Sequence, residues 1–241
     1  MREPIRIFSG YDPRIPAGFH VFNHSVNRLS SSPVQIAPLI QHQLRNAGAY
    51  TRAEDEKAST PFSLTRFLVP YLCEYKGWAL FADGSDMLVT DDIYDLWQMR
   101  DDAYAVMCVK HDYTPSSGKK FFGQDQYAYP RKNWSSLMLF NCSKCRDLTR
   151  EAVNTFQPSW LHQMKWAAET AIGDLPPGWN YLAGEQTLPV DTPQLIHYTN
   201  GLPGVPGAPP TSADKHWKAV YREVMDMPDI GWWVDHYKAS G

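Results

Sequence analysis

Hydrophobic positions along the chain switch between two periods. "IRIF" (5 to 8) is a short β-rich run closed by the turn-forming "SGYDP", and Phe19, Phe22, Val26 and Leu29 then recur near one face of a helix. "PVQIAPL" (33 to 39) reads as a second strand. Thr60 followed by Pro61 has the form of a helix entry, and Leu64, Phe67, Leu68, Tyr71 and Leu72 supply an apolar stripe for a helix that Pro70 bends. "WALFA" (78 to 82) is the next strand, Asp91 or Asp92 caps a short helix through Ile93, Leu96 and Trp97, and "YAVMCVK" (104 to 110) and "SSLMLFN" (135 to 141) are strands again. A helical stretch from Ser143 to about Phe156 follows, and "GLPGVPGAPP" (201 to 210) interrupts regular structure. Trp217, Val220, Tyr221, Val224 and Met225 then lie at helical spacing ahead of the aromatic tail "IGWWVDHY". Strands alternating with helices predict an α/β fold, a single Rossmann-like domain with a mainly parallel mixed sheet flanked by helices and a C-terminal helical tail. The expected division is 1–206 for the domain and 207–241 for the tail packed on it.

Composition narrows this picture. The 241 residues, 43% hydrophobic and 20% charged, suit one sizeable core. A formal net charge of -3 without a Lys/Arg cluster argues against a nucleic-acid partner. "MREPIRIF" has no apolar signal core, and no run reaches the ~18 apolar residues that span a bilayer, so a cytoplasmic location is expected. Cys73, Cys108, Cys142 and Cys145 are too scattered for a disulfide scaffold.

Chemistry concentrates in "DGSD". Ligands of open parallel sheets bind beyond the carboxyl ends of strands, and Asp83 and Asp86 fall directly after "WALFA". Two adjacent acids there repel unless they hold a hard cation or cap the following turn.

Several stretches together resemble the GT-A-fold glycosyltransferases, most closely those of family 8, the glycogenin-like and bacterial galactosyltransferase-like enzymes. These are "IFSGYDPR", "TPFSLTRFLVPYL", "ALFADGSDMLVTDDIYDLW", "KNWSSLMLFNC", "LPPGWNYL" and "IHYTNGLPG", in the family's order from residue 5 to 204. The resemblance implies metal-dependent transfer of a sugar from a nucleotide-sugar donor, a UDP-sugar, to a glycan, lipid-linked or small-molecule hydroxyl, with retention of configuration. It implies Mn²⁺ or Mg²⁺ on the donor diphosphate, held through a DxD motif. Alignment puts the motif's second acid on Asp86 and Gly84 where the first belongs. Either the turn is remodelled and Asp83 still ligates, or Asp86 binds metal and Asp83 addresses the ribose. His197 matches the family's later metal ligand, with Asn200 and Gly201 beside it for the phosphates, while the lysine that follows in the family is missing from "LPGVPG". Arg66, Tyr11 and Asp12 match the nucleotide-contacting positions. Trp134 and Ser135 stand where the family places small residues beside the donor sugar, and Trp166 and Asn180 are expected to line the sugar pocket. Glu169 in "WAAET" is the candidate acid beneath the anomeric carbon, and Asp125-Gln126 precedes the strand it should follow.

Other chemistries lack their signatures. There is no G-x-G-x-x-G after the first strand and no G-x-S-x-G or H-E-x-x-H; "SSGKK" has Tyr113 where a P-loop needs glycine. "CSKC" is a lone C-x-x-C. A metal-dependent nucleotide-sugar hydrolase and a non-catalytic carbohydrate-binding domain, the latter on the strength of nine tryptophans and thirteen tyrosines, are the alternative readings. The "GWW" tail allows a peripheral membrane contact, with packing or dimerisation as the plainer role.

Overall fold

The computed structural model describes residues 3–53, 60–112, 130–186 and 193–225. The strand β1 (Ile5–Gly10) leads through the 11–15 loop into helix α1 (Pro16–Leu29), and β2 (Val34–Leu39) returns beside β1 in parallel register, Ile7 opposite Ile36. The short helix α2 (Gln41–Asn46) follows. The helix expected from Thr60 is largely replaced: residues 60–68 form successive turns and only Val69–Leu72 is α-helical (α3). Pro70 lacks the N–H that would close a bond to Arg66, so it opens α3 where a bend in a longer helix was expected.

Strand β3 (Trp78–Ala82) enters between β1 and β6 (Leu137–Asn141), parallel to the first and antiparallel to the second. Next come β4 (Met87–Val89), helix α4 (Ile93–Gln98) and β5 (Val106–Cys108). The Asp92 carboxylate caps α4 by accepting from the Tyr94 N–H at 2.9 Å, as its position before the apolar run predicts. Helices α5 (Arg150–Thr155) and α6 (Pro158–His162) follow β6, then β7 (Ile172–Asp174), β8 (Tyr181–Leu182), β9 (Leu195–His197) and α7 (Asp214–Met225). The expected helix over 143–156 is therefore confined to its second half, where Thr149 caps α5 through the Ala152 N–H.

The main sheet runs β2-β1-β3-β6-β5-β7. Its β1–β2, β1–β3 and β5–β7 pairings are parallel, and β6 runs against both neighbours. Alternation along the strands sorts the core into two layers. Leu80 and Ala82 of β3, with Leu137 and Leu139 of β6, pack with Phe22 and Val26 of α1, whereas Ala79, Phe81, Met138 and Phe140 pack on the other face with Phe62, Phe67 and Leu68. Burial on both faces is why "WALFA" is apolar throughout instead of alternating. Phe81 and Phe140 are fully buried, and truncating either to Ala would cost about 3–5 kcal/mol.

A second sheet, β4-β9-β8, sits beyond the carboxyl end of β3. It packs Leu88, Ile196 and Tyr198 against Val21 of α1 and against Trp217 and Val220 of α7. The aromatic tail beyond Met225, the "SSGKK" segment and Asp125-Gln126 lie outside the described residues.

Candidate functional site

The turn after β3 is pinned from several sides. The Asp86 N–H donates to the Asp83 carbonyl at 3.0 Å, so both acids stand on one tight turn. Ser85 ties that turn to β1: its hydroxyl donates to the Gly10 carbonyl at 3.0 Å and accepts from the Asp12 N–H at 2.8 Å. Gly84 sits where a Cβ would come within 1.9 Å of the Ser9 hydroxyl and 2.8 Å of the Phe22 ring. Gly18 of α1 approaches the same turn, with a Cβ there 1.9 Å from the Ser85 carbonyl oxygen. A side chain at position 84 would force this turn or the Ser9 and Phe22 side chains to shift, so glycine suits the position between the two acids.

Asp86 leads into β4, whose register pairs Met87 with His197 on β9, and the Tyr198 N–H donates to the Asp86 carbonyl at 2.8 Å. Residues 111 apart in sequence thus become neighbours. His197 Nε2 lies 3.4 Å from Asp86 Oδ1, and ligand atoms of Asp83, Asp86 and His197 all fall within 4.8 Å of one another. All three residues are buried.

Hydrogen-bond roles on the far side of the imidazole follow by elimination. The Ser136 hydroxyl donates to the Asn133 carbonyl at 2.7 Å and accepts from Asn180 Nδ2 at 2.8 Å. The amide nitrogen of Asn180 is therefore directed at Ser136, and its Oδ1 meets His197 Nδ1 at 3.1 Å. That oxygen can only accept, so Nδ1 carries the proton. In the neutral ring Nε2 then presents a lone pair toward Asp86 Oδ1, an atom with no hydrogen-bond partner among the described residues. Two facing lone pairs in a buried site repel unless a proton or a cation lies between them. Two carboxylates and an imidazole, all oxygen and nitrogen donors, fit a divalent ion of the manganese or magnesium kind.

Arg66 flanks the cluster. Its Nη1 lies 2.9 Å from Asp83 Oδ1 and donates to the Ser135 carbonyl at 2.8 Å. Burial pushes the Asp83 carboxyl up to about 6; Arg66 pulls it down only in part, and the Asp86 carboxylate adds to the rise.

The remaining expected residues divide. Asp12 is fully buried and grips Arg14 through both oxygens, at 2.6 Å to Nη2 and 2.9 Å to Nε, so it shapes the loop beside the DGSD turn. Tyr11 stacks edge-on against Phe19 at the same place. Asn200 donates to Glu185 at 2.8 Å, and Gly201, at φ 114°, adopts a backbone that suits glycine. Ser135 is buried with its hydroxyl 3.0 Å from His162 Nδ1. Trp134 donates its indole N–H to the His111 carbonyl at 2.9 Å and has Arg131 over its ring. Asn180 is fully enclosed and acts on His197, not on a pocket wall.

Two residues make their contacts elsewhere. Trp166 is buried in the apolar core beside Phe140, with its N–H directed at the Leu161 carbonyl. Glu169 stands in the turn that enters the amino end of β7, its side chain 68% exposed and ion-paired with Arg131. Ser9, Ser136 and His162 carry no spacing signal along the chain; the fold brings Ser9 beside Gly84, the Ser136 carbonyl to the Asp83 N–H, and His162 to Ser135.

No protein-family profile matches the chain. Among solved structures it superposes on the glycosyltransferase GlyE of Streptococcus pneumoniae TIGR4 with a TM-score of 0.60 at 14% identity, covering 93% of this chain and 63% of that one. The galactosyltransferase LgtC, solved with donor and acceptor sugar analogs, gives 0.55 at 10% identity, covering 93% and 98%. The bifunctional glycosyltransferase WbbM gives 0.59 at 13% identity; the chain covers 91% of itself and spans about half, 52%, of WbbM. The fold is therefore that of the GT-A glycosyltransferases. Sequence likeness reaches further with one plant protein, Protein CDI of Arabidopsis thaliana, 45% identical over 208 residues that make up 84% of this chain and 80% of the plant protein, and it is to the family of Protein CDI that this chain belongs.

Proposed function

We propose that the chain is a glycosyltransferase of the family 8 type that moves a sugar from a UDP-sugar to a hydroxyl of a glycan, lipid-linked or small-molecule acceptor, retaining its configuration. The observation that carries this reading is the convergence of Asp83, Asp86 and His197, buried together beyond the carboxyl end of β3 on a GT-A fold. Asp86 and His197 would hold the divalent ion, with Asp83 as third ligand. Such an ion supplies Lewis-acid neutralisation of the departing nucleoside diphosphate.

The protein's own residues do the rest. Arg66 fixes a positive charge beside Asp83 and, in this reading, offers the diphosphate the cationic contact that "LPGVPG" lacks. Asp12, Arg14 and Ser85 hold the 11–15 loop against the DGSD turn, and in this reading the Tyr11 ring of that loop stacks on the base. Asn200 and Gly201 follow His197 where backbone can approach phosphate. Residues 1–206 carry this whole site, and α7 of the 207–241 segment braces α1. The four cysteines are buried and free, which agrees with a reducing compartment.

The test is product analysis with a panel of UDP-sugars, with and without Mn²⁺ and with and without acceptor sugars, read by NMR at the anomeric carbon. Mn²⁺-dependent transfer with retained configuration, lost in Asp86→Ala, is expected. Free sugar released at the same rate whether or not an acceptor is present would make the protein a hydrolase instead, and glycan binding indifferent to metal would make it a binding domain.

A further inference from the structure

At the end of the main sheet opposite Asp83, where β3 begins and β6 ends, an open cleft of about 570 Å³ is lined by Trp78, Arg100, Asp102, Asn141, Ser143 and Lys144, among others. Its two cations have no carboxylate within 4 Å among the described residues. Arg100 Nε donates to the Trp97 carbonyl at 2.6 Å and the guanidinium lies over the Trp97 ring at 4.2 Å, while its outer nitrogens make no hydrogen bond among the described residues. Lys144 is tethered by neutral carbonyls of Asp102 and Ala103. The loop 100–103 therefore draws both charges to one wall.

The same loop brings a polar cluster to the cleft. Asp102 Oδ1 accepts from the Trp78 indole at 3.2 Å and from Asn141 at 3.4 Å, and Ser143 donates to Asn141 Oδ1 at 2.7 Å. Among the lining residues one carboxylate, Asp102, stands with two cations, with Glu3 a second acid acting on Arg100, and Arg6 adds a third cation behind Gly77, its guanidinium bound to the carbonyls of Lys76 and Trp78. Burial holds the Arg100 guanidinium below its usual range, although Tyr94, Asp102 and Glu3 act to raise it.

We propose that this cleft is a second ligand site, distinct from the Asp83–Asp86–His197 centre, for a small hydroxylated anion: an oxyanion group between Arg100 and Lys144, with sugar-type hydroxyls toward Asp102 and Ser143. The fork of Arg100 and the ammonium of Lys144 match phosphate or carboxylate oxygens, and Asp102 with Asn141 matches the paired hydroxyls of a sugar. The site stands independently of the proposed transferase reaction, since no residue is shared.

The experiment titrates ¹⁵N-labelled full-length protein with inorganic phosphate and, separately, with glucuronate, following the Trp78 indole N–H by NMR. The Trp78 signal is assigned from a Trp78→Phe variant. Saturable movement with a Kd of about 1 mM or tighter is expected for at least one probe. Lys144→Gln and Arg100→Gln should each weaken it about tenfold, whereas Asp86→Ala should leave it unchanged. Phosphate acting alone assigns the site to phosphate esters and glucuronate acting alone to acidic sugars. No movement with either probe, affinity unchanged from wild type in both glutamine variants, or movement abolished by Asp86→Ala would overturn the proposal.

Discussion

Asn180 Oδ1 accepts a hydrogen bond from His197 Nδ1 at 3.1 Å, and this contact orients the imidazole that completes the candidate metal site. Carboxamide and ring are locked from behind by Ser136, whose own proton is committed to Asn133. Removing the partner that orients a metal-binding histidine costs typically 10–100-fold in metal affinity. Asn180→Ala should therefore weaken Mn²⁺ binding about that much while circular dichroism keeps its folded signature. An unchanged Mn²⁺ isotherm would show that His197 does not depend on this contact.

Gly84 gives a second prediction. Restoring the DxD spacing with Gly84→Asp places a Cβ 1.9 Å from the Ser9 hydroxyl and against Phe22, so the turn must shift. Overpacking of this kind costs about 1–3 kcal/mol, seen as a lower urea midpoint, and Mn²⁺ affinity should fall with it. A stable variant with tighter Mn²⁺ binding would contradict the account of the turn.

Acidification supplies a third. Burial depresses both His111 and His162 to about 3, with His197 adding to the effect on the first and Arg66 on the second. Their unfolded values lie near 6.5, so between those limits the unfolded chain binds more protons than the folded one. The stability these neutral histidines contribute is fully present above pH 6.5 and is lost as pH falls toward 3. The unfolding midpoint should drop between pH 7 and 5, and His162→Asn, which keeps a hydrogen-bonding atom near Nδ1, should flatten part of that slope. A midpoint that holds steady across this range would mean that the two rings are protonated in the folded protein.

Glu169 is the fourth. Exposed and paired with Arg131, it is placed to hold a surface contact, and exposed ion pairs contribute about 0–1 kcal/mol. Glu169→Gln should change the rate of sugar transfer less than threefold, roughly 0.6 kcal/mol in the barrier. A fall of several hundredfold would restore it as a catalytic acid.

These residues show which features could be read along the chain. Local ones could: the apolar "WALFA" that must be buried on both faces, Asp92 as a cap, and acids at a strand's carboxyl end all depend on neighbours a few positions away. The short α3 also has a local cause in Pro70, whose stronger effect is to start a helix. The joining of His197 to Asp86 depends on the β4–β9 register, and the reach of Asn180 depends on β8 lying beside β9. Such long-range pairing leaves no periodicity to find. Trp166 shows the converse: its neighbourhood in sequence gave no sign that it packs on Phe140 instead of facing a sugar.

The most direct test of the central claim is thermal unfolding with nucleoside diphosphates and UDP-sugars, with and without Mn²⁺, on wild type and Asp86→Ala. A ligand present at 100 times its Kd stabilises by about 2.7 kcal/mol, roughly a 5–10 °C rise for a chain of this size. The account predicts that rise for a uridine nucleotide only when Mn²⁺ is present, and its loss in Asp86→Ala. No rise with any nucleotide, or the same rise without metal or in the variant, would contradict a metal-dependent nucleotide-sugar site at Asp83, Asp86 and His197.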